Sequence, residues 1–134
     1  MEIVQTEHAP KAIGPYSQAI KTGDLLFTAG QIPLDPSTMK LVEGDISVQT
    51  ERVMQNLSAI LAAAGSSMDR VVKTTCFLQN LEDFPAFNAV YSIWFPASPP
   101  SLAAMASATP DFTISSSRLR PSKGEIGRGS SASM

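Results

Sequence analysis

Between Ile46 and Ala64 the apolar residues Ile46, Val53, Leu57, Ile60, Leu61 and Ala64 recur at three- and four-residue spacings. That period predicts a long amphipathic helix over 46–64 with one apolar stripe. Gln49, Glu51, Arg52 and Gln55 take much of the opposite surface, and Gly65 supplies the stop. A helix with a single apolar stripe must lay it on a partner layer, and the flanking sequence offers strands. Gln18 to Lys21 and Leu25 to Ala29 read as two short strands joined by Thr22-Gly23-Asp24. After the helix, Val71-Val72-Lys73-Thr74-Thr75-Cys76-Phe77-Leu78 is strongly β-forming. Its two faces are expected to be Val72, Thr74, Cys76, Leu78 and Val71, Lys73, Thr75, Phe77.

A second helix is expected from Phe84 to Phe95, with Asp83 as N-cap, Pro85 in the first turn and Pro96 ending it. Phe84, Phe87, Val90, Tyr91 and Trp94 form its apolar face. The order of strands, helix, strand, helix and further strands gives an α+β domain. A single mixed β-sheet carries both helices on one face. The other face stays open, with Val71 and Phe77 expected there, and invites self-association.

A chain of 134 residues suits one domain with a real core, placed at 1–120. Residues 102–120 are the atypical part of it. Leu102 to Ala108 is mostly Ala and Ser, and Ser116-Ser117-Arg118 does not read as an interior strand. The Gly- and Ser-rich stretch from Pro121 to Met134 is expected to be a disordered tail. The net charge of −2 and pI near 5.3 give no general attraction to nucleic acid. The one basic concentration, Arg118, Arg120, Lys123 and Arg128, reads as a solvated tail.

No stretch approaches the roughly 20 apolar residues of a membrane helix. The first residues resemble neither a signal nor a transit peptide, so a cytoplasmic protein is expected. The single cysteine, Cys76, reads as a small core residue, and the single histidine, His8, as an exposed one. Neither supports a metal site within one chain.

Gly14-Pro15-Tyr16-Ser17-Gln18-Ala19 and Ala29-Gly30-Gln31-Ile32-Pro33 place glycine and proline at strand boundaries, where ligand sites tend to sit. These segments resemble the RidA (YjgF) family of imine and enamine deaminases. Further anchors of that resemblance are Gln49-Thr50, Asn56-Leu57, Ala64-Gly65, Val71-Val72-Lys73-Thr74-Thr75 and Asn88-Ala89-Val90-Tyr91. The likeness runs from about Ala9 to Pro100. It implies a chorismate-mutase-like fold and a homotrimer with a cleft at each subunit interface. It also implies hydrolysis of 2-imino acids to 2-oxo acids and ammonia without cofactor or metal. A mitochondrial location also occurs in the family.

By the same resemblance Tyr16, Gly30 and Asn88 match substrate-binding positions of that cleft. The family's carboxylate-binding arginine does not carry over, because Leu102 stands there within Pro99-Pro100-Ser101-Leu102-Ala103. Its last-strand glutamate fails too, with Ser115 in Ile114-Ser115-Ser116-Ser117. Three accounts follow. The chain is a deaminase in which Arg118 or Arg120 substitutes, or an impaired, non-catalytic trimer that binds small metabolites or proteins. In the third, a change of frame or splice junction after Pro100 replaced the family's last strands. No residue of the chain is a certain catalyst.

Overall fold

The computed structural model describes residues 1–96, 99–106 and 111–118. Among them, strands β1 (Glu2–Val4), β2 (Ala19–Thr22) and β3 (Leu25–Thr28) precede helix α1 (Ile46–Ala63). Strand β4 (Val71–Leu78), helix α2 (Phe84–Trp94) and strands β5 (Ser101–Ala106) and β6 (Asp111–Arg118) follow. The six strands form one sheet in the order β1-β2-β3-β6-β4-β5. Only the β4–β5 pair is parallel; β1–β2, β2–β3, β3–β6 and β4–β6 are antiparallel. This is the mixed α+β sheet that the element order implied.

The elements form for local reasons. Gly23 takes φ 58° and lets the β2–β3 hairpin turn where a side chain would be strained. The Asp45 carboxylate accepts a hydrogen bond from the Val48 N–H at 3.1 Å and so caps α1. At its other end Gly65 takes φ 83°, and the Ser66 N–H returns to the Leu61 carbonyl at 2.8 Å. In α2, Pro85 sits in the first turn, but Asp83 makes no side-chain cap. Asn80 instead accepts from the Glu82 N–H at 2.9 Å, capping the short turn before the helix.

The core lies between the helices and one face of the sheet. Val53, Leu57, Ile60 and Leu61 fill it from α1 as their spacing implied, joined by Met54. Phe87 and Tyr91 enter from α2, with Phe84 and Trp94 at its margin. The two helices are also tied by a hydrogen bond from the Trp94 indole to Glu51, 3.1 Å long. Along the strands, Val4, Ala19 and Thr28 are buried in one register row. The neighbouring row, Ile3, Ile20 and Phe27, faces away from the helices, with Ile3 65% and Phe27 42% exposed.

Two expectations change. The pairing of β4 with β6 jumps on both sides of Lys73, so strict alternation breaks there. Val71 is therefore buried while Val72 is 44% exposed, although alternation put Val72 with Thr74 and Val71 on the open face. The serine-rich C-terminal segment is also no edge piece: β6 pairs with β3 on one side and β4 on the other. Backbone hydrogen bonding from two neighbours outweighs its weak side-chain preference. Arg120, Lys123, Arg128 and the expected tail at 121–134 lie outside the described residues.

Candidate functional site

The segment before β2 is fixed by a buried amide. Gln18 is 3% exposed, and its Oε1 accepts from the Thr6 N–H at 2.7 Å. Its Nε2 lies within donating distance of the Pro10 carbonyl at 2.8 Å, Thr6 at 3.1 Å and Ala9 at 3.3 Å. Gln18 thus holds the N-terminal segment in place. A buried carboxamide with both ends engaged avoids the desolvation cost of an orphaned polar group.

Tyr16 is held over this scaffold. Its N–H bonds the Gly14 carbonyl at 2.8 Å, and its hydroxyl accepts from the Ile13 N–H at 3.3 Å. A Cβ on Gly14 would lie 3.4 Å from the Tyr16 ring, at ordinary contact distance. Neither Gly14 nor Gly30 is among the glycines with positive φ, so neither is required there by a special backbone angle. The ring stays 51% exposed and divides two recesses. One, of about 650 Å³, opens toward Ile3, Thr6 and Glu7. The other, of about 180 Å³, is lined by Lys11, Ile13, Tyr16, Gly30, Gln31 and Leu34 among others. Lys11, Tyr16 and Gln18 border both.

The far wall of the smaller recess is anchored to α1. Asn56 is fully buried; its Nδ2 donates to the Leu34 carbonyl at 2.9 Å and its Oδ1 accepts from Arg52 at 3.1 Å. Leu34 also forms a bridge with Leu41, closing the loop after Pro33. Next to it, the Asp35 carboxyl is held below the usual carboxylate range, chiefly by the Ser37 hydroxyl and then by the Ser37 N–H.

Tyr16 and Gly30 both line the smaller recess. Asn88 does not join them; it is exposed on α2 and lines neither recess. Leu102 pairs with Thr74 across β4 and β5, so the two side chains share the helix-facing side of the sheet. Thr74 is buried there, 2.8 Å from the Tyr91 hydroxyl, and Leu102 is half-buried against the core. Burial of Tyr91 pushes its phenol above its ordinary value, partly opposed by Thr74. Ser115 lies in β6, and its side chain is outside the described residues. Lys11 and Gln31 were not singled out from the sequence as site residues. Gln31 sat in plain view within Gly30-Gln31-Ile32-Pro33, but only the fold reveals the cavity it lines.

A small α+β domain with an open recess where β2 begins and β3 ends is the class that this geometry defines. Residues 6–114 match the profile of the family described as Endoribonuclease L-PSP. A RutC family protein of Pyrococcus abyssi is 54% identical over 104 residues, spanning 78% of this chain and 82% of that protein. Reactive Intermediate Deaminase A of Arabidopsis thaliana, a chloroplastic protein, is 47% identical over 100 residues, spanning 75% of this chain and 54% of its own length. The crystal structure of RidA from an Antarctic Psychrobacter superposes with a TM-score of 0.83 at 36% identity, covering 88% of this chain and 99% of that one. The chain belongs to the Endoribonuclease L-PSP family, that of RidA and YjgF. The family match continues past Pro100 as far as residue 114. No helix among the described residues is long and apolar enough to cross a membrane.

Proposed function

We propose that this chain is an imine and enamine deaminase of reduced activity, hydrolysing 2-imino acids to 2-oxo acids and ammonia without a cofactor. The observation that carries the reading is the placement of Leu102. At the position where relatives are expected to bind the substrate carboxylate with arginine, this chain has an aliphatic side chain half-buried against its own core. A guanidinium grips a carboxylate with two parallel donors, a contact that an alkyl group cannot make. Hydrolysis of a C=N bond otherwise needs orientation, a proton for the enamine carbon or imine nitrogen, and a delivered water. Tyr16 and Gly30 in one recess support the binding half of that requirement.

The working form is a homotrimer, with Asn88 supplied to the cleft across a subunit boundary. Its exposure on α2, away from the recess, supports that arrangement. So does the apolar row of Ile3, Ile20 and Phe27 on the sheet face that the helices leave open. Light scattering during size exclusion checks it, and a monodisperse monomer would refute it. The family name carries a nuclease label, but the acidic balance of this chain gives no support for phosphate binding.

The activity is tested by generating imines with an amino-acid oxidase and following 2-oxo acid release. Loss of a charge-assisted contact of about 1.5–3 kcal/mol predicts turnover roughly ten- to a hundred-fold below that of an arginine-bearing relative. Leu102→Arg should recover part of it by extending its guanidinium past the edge strand β5. Parent activity equal to that relative would refute the impairment. Silence of both forms with the trimer intact would favour the second reading, a non-catalytic metabolite-binding member. That reading draws its support from an intact recess beside a missing arginine.

A further inference from the structure

Two polar groups lining the smaller recess, the Lys11 ammonium and the Gln31 Oε1, have no partner among the described residues. Lys11 has no ion-pair partner among the described residues and is the one charged side chain among those lining the recess. Gln31 is 6% exposed, and its Nε2 donates to the adjacent Gly30 carbonyl at 3.2 Å. That bond fixes which end of the amide is nitrogen and leaves Oε1 without a hydrogen-bond partner among the described residues. A buried carboxamide oxygen left without a donor is costly, so such groups in native proteins call for a water or a ligand. Gln18, which borders the same recess, shows the contrast: both ends of its amide are engaged within the chain.

We infer that Lys11 and Gln31 form the ligand-selecting pair of this recess. The Lys11 ammonium takes the carboxylate of a small 2-amino or 2-imino acid, and the Gln31 Oε1 accepts an N–H from the nitrogen on its C2. Tyr16 and Gly30 line the same recess. The assignment rests on the small-acid reading above and deepens it, giving this chain a cation in place of the absent arginine. A lysine binds as a single point charge rather than a two-pronged fork. Weakened rather than abolished carboxylate binding follows from that difference.

Calorimetric titration of the intact protein with two unreactive probes tests the pair. L-2-aminobutanoate carries both the carboxylate and the N–H donors; 2-oxobutanoate carries the carboxylate alone. The parent should bind both, the amino acid more tightly. Lys11→Met, an exposed substitution that spares the fold, should weaken both probes by about ten-fold or more. Gln31→Met, checked for folding by circular dichroism, should weaken L-2-aminobutanoate alone. Unchanged binding in Lys11→Met, equal weakening of both probes in folded Gln31→Met, or no binding of either probe by the parent would overturn the assignment. Because the readout is binding, the two proposals separate. The predicted binding pattern without turnover sinks the deaminase reading alone, whereas turnover with binding indifferent to Lys11 sinks only this one.

Discussion

The helical layer and the C-terminal strands reach the same sheet by opposite means. In α1 and α2 most inward positions are large apolar side chains, with Thr50 and Asn56 the buried polar members of α1, and the segment's period sets what it faces. Strands β5 and β6 are written largely in Ala, Ser and Thr, yet β6 runs between β3 and β4. Helices of this kind are placed by what their side chains bury. A strand flanked by two others is held mainly by its main-chain ladder, which any sequence without proline can complete. Side-chain pattern and structural centrality are therefore separate properties in this protein.

The largest expected effect tests the patterned side of that contrast. Phe87 is 2% exposed, with ring centroids 6.0 Å from Phe84 and 5.3 Å from Tyr91. Phe87→Ala should lower stability by about 3–5 kcal/mol in urea unfolding, through lost burial and the cavity left behind. A change below 1 kcal/mol, on the order of a surface substitution, would mean that the aromatic face of α2 does not anchor the helix.

The next effect tests the ladder. Ser116 pairs with Lys73, so Ser116→Pro should remove a ladder donor and lower stability by about 1–3 kcal/mol. Ser116→Val keeps the donor, and its better β-propensity should raise stability by up to about 1 kcal/mol. If proline there leaves the unfolding midpoint unchanged, β6 is not held by its main chain and the contrast fails.

The smallest effect lies where the two regions meet. The Tyr91 hydroxyl links α2 to Thr74 on β4, and Tyr91→Phe should cost about 0.5–1.5 kcal/mol near neutral pH. Burial raises this phenol above its ordinary 10.0, so the folded state favours the neutral form. The corresponding stability is complete below pH 10.0 and drains away as pH rises from there through the folded value. The gap between parent and Tyr91→Phe should narrow in alkaline urea titrations. A gap that widens would reverse the assigned cause.

Much of this was legible in the residues. The stripe from Ile46 to Ala64 named the helix and four of its seven buried positions, Val53, Leu57, Ile60 and Leu61, because a helix turns at a fixed 3.6-residue period. Thr50, Met54 and Asn56 escaped notice: two are polar, and their burial depends on what lies opposite. The short β1 gave no signal at all, since three residues carry too little pattern. At the site, the resemblance to the RidA family brought Tyr16 and Gly30 forward, and the fold unites them. It could not reveal that both ends of the Gln18 amide are hydrogen-bonded while the Gln31 Oε1 has no partner among the described residues. Two glutamines look alike in a sequence, and their partners are contributed by distant backbone.

The sequence by itself determined the helices, the β2–β3 hairpin, the strength of β4 and the absence of an arginine at position 102. Each of these follows from local period, turn chemistry or residue identity, which neighbours in the chain suffice to specify. The tertiary structure decided the inward turn of Val71, the central place of β6 and the meeting of Lys11, Tyr16, Gly30 and Gln31 around one recess. Each of those depends on contacts between segments far apart in the chain, and hydrogen-bond partners and cavities exist only once the segments have come together.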